Sequence, residues 1–83
     1  MKINVDYIEE TDTVDVSFYR DEFESDRDKQ LCLNIIFTFA HNFDLEPEME
    51  VETIDEILSA IDEEGKKEFT FSFSEDGVEV DLK

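Results

Sequence analysis

Carboxylates are the side chains of this chain whose type and spacing could do chemistry. The run from Asp44 to Glu64 holds ten acidic residues and no Lys or Arg. At its start, acids occupy every second position: Asp44, Glu46, Glu48, Glu50 and Glu52. In an extended backbone, alternate side chains point the same way, about 6.6–7 Å apart. The sequence therefore predicts a row of like charges that could bind a basic surface.

Residues for bond-making chemistry are few. His41 is the only histidine, and on a strand its separation from Cys32 would put the two side chains on opposite faces. Two glycines, Gly65 and Gly77, cannot form a glycine-rich phosphate loop. Carboxylate pairs are so common here that they say nothing about acid–base catalysis. We predict that the protein is not an enzyme.

A metal site is not predicted either. The segment from Asp21 to Asp28 superficially resembles a calcium-binding EF-hand loop. It lacks the central glycine, the terminal bidentate glutamate and flanking helix patterns of that motif. We expect no dedicated metal and no cofactor.

Composition indicates one small domain, residues 1–83, with a net charge of −18. Eight Phe argue against disorder. The charge repels nucleic acids and anionic membranes and attracts basic proteins. A single cysteine, Cys32, allows no internal disulfide, and neither a signal-peptide pattern nor a membrane-length apolar run is present. These features predict a cytoplasmic protein without direct nucleic-acid or membrane binding, and they leave its oligomeric state open.

Two hairpins are predicted by alternating patterns. At the C-terminus, Phe69, Phe71 and Phe73 alternate with polar residues, as do Val78, Val80 and Leu82. Asp76-Gly77 suits a two-residue type I′ turn, which would pair Phe73 with Val80 and Phe71 with Leu82. At the N-terminus, pairing Tyr7 with Val14 and Val5 with Val16 leaves a turn at 9–12.

One helix is predicted at about 54–64. Thr53 and Glu56 have capping-box spacing, and Gly65 stands where a C-cap belongs. Between them, apolar residues follow a helical stripe: Ile54, Ile57, Leu58 and Ile61.

The apolar pattern of the segment Leu31–Phe39 fits both the two-residue period of a strand and the period of about 3.6 residues of a helix. As a strand, its odd-numbered residues would share an apolar face; as a helix at about 29–42, Gln30, Asn34, Thr38 and His41 would form a polar stripe. The composition Ile-Ile-Phe-Thr-Phe favours the strand. We predict an α+β fold, an antiparallel sheet of four to five strands with one short helix, and keep the second helix as the alternative.

The candidate binding residues are acids with one aromatic. Phe23 lies among charges, where it could be exposed as a partner-facing anchor, although packing against the core is the default expectation. A surface tuned only for solubility would normally mix both signs of charge. The candidates are Asp44, Glu46, Glu48, Glu50 and Glu52; Asp55, Glu56, Asp62 and Glu63; and Asp21, Glu22, Phe23, Glu24 and Asp26.

In size, acidity and lack of catalytic residues, the chain resembles small inhibitors encoded by phages and mobile elements. These include DNA-mimic antirestriction proteins, the uracil-DNA glycosylase inhibitor and acidic anti-CRISPR proteins. The resemblance covers composition and the acidic run Asp44–Glu56, without a diagnostic motif. It implies stoichiometric inhibition of a nucleic-acid-binding protein, such as a nuclease or CRISPR effector in a host cytoplasm. The alternatives are an acidic immunity or antitoxin-type protein that masks a basic toxin, and an acidic interaction domain without mimicry.

Overall fold

The computed structural model describes all 83 residues as two hairpins separated by two helices. The sheet is antiparallel, and its strands lie in the order β1 (Ile3–Ile8), β2 (Thr13–Tyr19), β3 (Glu68–Ser74) and β4 (Gly77–Leu82). The hairpins therefore join through the central pair β2 and β3. Both helices lie between β2 and β3 in the chain and pack against β3. The predicted α+β class is confirmed. The helical elements are a 3-10 turn (Arg20–Glu22), α1 (Asp26–Asn42) and α2 (Val51–Glu64).

The N-terminal hairpin has the predicted register. Tyr7 pairs with Val14 and Val5 with Val16, and Ile8–Thr13 is the last pair before the turn. Asp12 has a φ of 50°, and its carboxylate accepts a hydrogen bond of 3.0 Å from the Tyr7 hydroxyl. This side-chain bond closes a turn that contains no glycine.

The C-terminal hairpin forms, but its predicted register is wrong by two residues. Phe73 pairs with Val78 and Phe71 with Val80, while the turn residues are Glu75 and Asp76. Neither turn residue has a positive φ, so the turn is not type I′; Gly77, at φ 135°, begins β4 instead. Because the slip is two residues, the apolar face is preserved, and Phe69 gains Leu82 as its partner.

The strand interpretation of Leu31–Phe39 is wrong, and the helix alternative is correct. The carboxylate of Asp28 caps the start of α1 by accepting the backbone N–H of Ser25 at 3.0 Å. Side chains at helical spacing are buried: Cys32, Leu33, Ile36 and Ala40. The predicted polar stripe, Gln30, Asn34, Thr38 and His41, is exposed. The sheet is complete with four strands, and α1 covers its apolar face.

Helix α2 begins three residues earlier than expected. Thr53 is not the cap; its hydroxyl accepts the backbone N–H of Glu50 at 3.2 Å, and Glu50 is the residue before the helix. At the other end, Gly65 has a φ of 66°, a left-handed conformation that favours glycine. The C-cap is therefore as predicted.

The core lies between the helices and one face of the sheet. Phe69 is fully buried, and its ring centre lies 5.3 Å from that of Phe18. The thiol of Cys32 is also buried, which raises its pKa to about 12 and keeps it protonated at neutral pH. On the opposite, open face of the sheet, the hydroxyls of Ser17 and Thr70 are hydrogen-bonded at 2.8 Å.

Candidate partner-binding surface

The connection between the helices presents carboxylates in alternation. Asp44, Glu46, Glu48 and Glu50 are exposed, while the intervening Leu45, Pro47 and Met49 are half-buried. Leu45 and Met49 pack against the core, and the N–H of Leu45 donates to the Ala40 carbonyl at 2.9 Å. The inward apolar residues thus fix the outward direction of the acids. The predicted alternation is present over these four acids.

Glu52, the fifth acid of the predicted row, lies in the first turn of α2. It is exposed, and a negative charge at this end of a helix is stabilised by the helix dipole. The row therefore runs directly into the helix, whose outer face carries Asp55, Glu56, Asp62 and Glu63, all exposed.

The segment 21–28 is ordered by its own acids. The carboxylate of Asp28 accepts the N–H of Glu24 at 2.9 Å as well as that of Ser25. Glu22 accepts the backbone N–H of Lys2. Asp21, Glu24 and Asp26 remain exposed. Part of the predicted binding segment is thus engaged in capping and turn structure.

Phe23 is not a surface anchor. Its side chain is only 8% exposed, and its ring centre lies 5.7 Å from that of Phe69. The charged neighbours of Phe23 in sequence conceal this burial, since the 3-10 turn directs the ring inward while they face water. The default expectation that Phe23 packs against the core is confirmed, and its candidacy as an exposed partner contact is wrong.

Two basic residues that flank the segment 21–28 form ion pairs with α2. The Arg20 guanidinium binds the Asp62 carboxylate through Nε at 3.0 Å and Nη2 at 3.3 Å. The Lys29 ammonium binds Asp26 at 3.2 Å and also Asp55. The hydrogen bonds that the Lys29 ammonium donates to these two carboxylates, first to Asp55 and then to Asp26, raise the pKa of Lys29. Sequence reasoning missed both basic residues; only the Asp26–Lys29 spacing in a helix could have indicated one of them.

Most carboxylates have no basic partner. Three of the 25 acids form ion pairs within 4 Å of a basic group, namely Asp26, Asp55 and Asp62. We call the following residues the acidic surface: Asp44, Glu46, Glu48, Glu50, Glu52, Asp55, Glu56, Asp62 and Glu63. Because most of its charge is not neutralised internally, this surface can attract cationic groups from outside.

Asp28 should make the start of α1 sensitive to acid. The N–H of Glu24, followed by that of Ser25, holds the pKa of Asp28 below its ordinary value of 3.8. The stabilisation is therefore fully present above pH 3.8 and is lost as the pH falls through the lower folded-state pKa. We expect Asp28→Asn to lower the urea midpoint at neutral pH, and this deficit to shrink in acid below that value.

The control for Asp28→Asn is Asp21→Asn, since Asp21 is exposed and its carboxylate accepts no hydrogen bond. Urea titrations of both variants across the acid range provide the measurement. A deficit for Asp28→Asn that stays constant down to the most acidic pH would contradict the capping role.

No group of three or more His, Cys, Asp or Glu side chains is arranged to hold a metal ion. Neither helix is long and apolar enough to cross a membrane. Comparison of the chain with protein-family models, curated proteins and solved structures gives no match.

Proposed function

We propose that the protein is a stoichiometric inhibitor of a nucleic-acid-binding protein. The acidic surface would occupy the Lys- and Arg-lined groove that otherwise holds DNA or RNA. The observation that carries this proposal is the alternation of Asp44–Glu50, where exposed carboxylates without basic partners lie on a segment held by Leu45 and Met49.

Electrostatics support this choice of partner. Grooves that bind nucleic acids hold basic groups positioned for a row of phosphates. A row of carboxylates resembles one nucleic-acid strand in sign and spacing. Unpaired charge on one partner accelerates association with an oppositely charged groove, and the contacts that lose water then set the residence time. Inhibition would be competitive with nucleic acid and would weaken as salt rises.

The target is identified by capture followed by competition. The immobilised protein is exposed to nuclease-treated bacterial lysate, and bound proteins are eluted with a salt gradient and identified by mass spectrometry. Each strong binder is then purified, and its binding to labelled DNA or RNA is titrated with the inhibitor. We expect complete displacement at a fixed stoichiometry. Capture of a basic toxin with no bound nucleic acid would instead favour the immunity-type alternative. A broad, early elution of ribosomal proteins would show that the acidic residues act only as a nonspecific cation exchanger.

The triple variant Glu46→Gln, Glu48→Gln and Glu50→Gln tests the surface itself. We expect inhibition to weaken about tenfold to a hundredfold, at about 0.5–1 kcal/mol for each lost carboxylate. The slope of affinity against salt should also decrease, because fewer charges are engaged. Inhibition constants at several salt concentrations provide the measurement.

A matched control removes the same charge elsewhere. Glu9, Glu10 and Glu75 are exposed turn residues outside the acidic surface. Their triple substitution by Gln should change inhibition by less than about threefold, since only long-range steering is affected. If the Glu46, Glu48 and Glu50 variant inhibits as well as the wild type, the proposed function is wrong.

A further inference from the structure

The edge of the sheet at β4 has a row of unpaired backbone groups. Lys83 and Glu68 exchange two hydrogen bonds, Lys83 N–H to Glu68 at 2.8 Å and Glu68 N–H to Lys83 at 3.1 Å. Hydrogen-bonded pairs alternate along an antiparallel ladder, so the backbone N–H and C=O groups of Asp81 and Glu79 also point toward β3. The N–H and C=O groups of Val78, Val80 and Leu82 therefore point outward from the edge.

An apolar groove of about 450 Å³ lies beside this edge, between β4 and α2. Its lining includes Met49, Ile57 and Ala60, together with the side chains of Val80 and Leu82. Val80 is 48% exposed, although it stands on the face of the sheet that the helices cover. The unpaired backbone and the apolar groove are thus adjacent, and one ligand could contact both.

Charge around the edge specifies the partner. Glu79 and Asp81 alternate with the valines and are exposed on the open face of the sheet, and Glu56 lines the groove. Acids on an edge strand oppose pairing with acidic chains. A second copy, with its own net charge of −18, is therefore disfavoured. The same acids attract Lys and Arg.

We propose that the β4 edge and this groove bind an extended segment of a partner protein, which adds to the sheet as a fifth strand. Apolar side chains at alternate positions of that segment fill the groove, and Lys or Arg at the intervening positions face Glu79 and Asp81. In this mode, backbone hydrogen bonds supply affinity, and alternate side chains supply specificity. A helix lying in the groove would leave the outward N–H of Val80 unpaired, so the geometry favours a strand.

A capped heptapeptide of alternating Val and Lys is the probe. Its control has the same residues arranged in two blocks, so the charge is equal but the alternation is lost. The peptides are titrated into isotopically labelled protein at about 0.15 M salt, which screens surface charges beyond about 8 Å. The alternating peptide should bind saturably under these conditions. Amide shifts should change at Val78–Leu82 and Ile57, and hydrogen exchange should slow at Val80. Equal binding of both peptides, or saturable binding without amide shifts at Val78–Leu82, would overturn the proposal.

Two variants test the two parts of the site. Val80→Pro removes an outward N–H without removing a β3 hydrogen bond, a change that edge strands tolerate. Ala60→Leu fills the groove and keeps the edge intact. Each variant should bind the alternating peptide about tenfold more weakly, because about one good contact is lost. The control Val5→Thr, on the opposite edge of the sheet, should bind the peptide as the wild type does. Wild-type binding by both Val80→Pro and Ala60→Leu would contradict the proposal.

This inference does not rest on the proposed function. The peptide assay requires no nucleic-acid competitor, and inhibition by the acidic surface is tested by the Glu46, Glu48 and Glu50 variant. Failure of one therefore leaves the other standing.

Discussion

Phe69→Ala is expected to lower the free energy of unfolding by about 3–5 kcal/mol. Phe69 is fully buried, and its ring centre lies 5.3, 5.7 and 5.8 Å from those of Phe18, Phe23 and Phe71. Alanine would leave a cavity among these rings, on the strand that both helices pack against. A domain of this size has a total stability of about 4–12 kcal/mol. The loss is therefore about a quarter or more of the total stability, and at the low end of that range it would unfold the domain.

Urea denaturation followed by circular dichroism measures this loss. The matched control is Phe37→Ala, which deletes the same side chain at a position on α1 that is 36% exposed. The control should lose less than about 1.5 kcal/mol, because much of its ring already contacts water. Equal losses at the two positions would contradict the assignment of Phe69 to the centre of the core.

Salt should stabilise the protein strongly. Its extents are 32 × 21 × 19 Å, and it carries a net charge of −18. Two unit charges about 20 Å apart in water repel by about 0.2 kcal/mol, and a great many such pairs are brought together on folding. Raising NaCl from about 0.01 M to about 1 M shortens the screening length from about 30 Å to about 3 Å. We expect a gain of at least about 2 kcal/mol, which is a rise of about 8–16 °C in Tm.

Thermal melts across a salt series measure this effect. NaCl and KCl should act equally, since screening does not depend on a specific cation site. The variant with Gln at positions 9, 10 and 75 should start from a higher Tm at low salt and gain less from added salt. A Tm that stays constant over the whole series would show that the charges do not oppose folding.

The elements that sequence reasoning predicted well are those determined by neighbours in the chain. Alternation and a short turn define the N-terminal hairpin, and Gly65 defines the end of α2. The predicted C-terminal register is wrong because it places Gly77 inside the turn, whereas the positive φ of Gly77 serves the first position of β4. The segment Leu31–Phe39 fits both the two-residue period of a strand and the period of about 3.6 residues of a helix. It is a helix because the sheet is already completed by the pairing of β2 with β3, which are distant in sequence.

The candidate surface also has some features that could be predicted from neighbours in the chain and others that could not. Exposure of the acids between Asp44 and Glu50 could be predicted because their spacing alternates with apolar residues. The bonds from Arg20 to Asp62 and from Lys29 to Asp55 could not, since they join segments whose proximity depends on the tertiary fold. The burial of Phe23 could not be decided from its charged neighbours for a related reason: its partner, Phe69, is far away in sequence.

The connection between α1 and α2 divides the chain into two halves, each with one hairpin and one helix, in which the elements follow in opposite order. The β2–β3 pairing, the packing of the helices and the ion pairs from Arg20 to Asp62 and from Lys29 to Asp55 hold the halves together. Two separate chains, cut within 43–50, would have to find each other by diffusion, whereas the intact connection keeps them at a high effective concentration. The segment that displays the acidic row is therefore also the tether that lets the central strands meet, and its length sets the entropy lost when they pair.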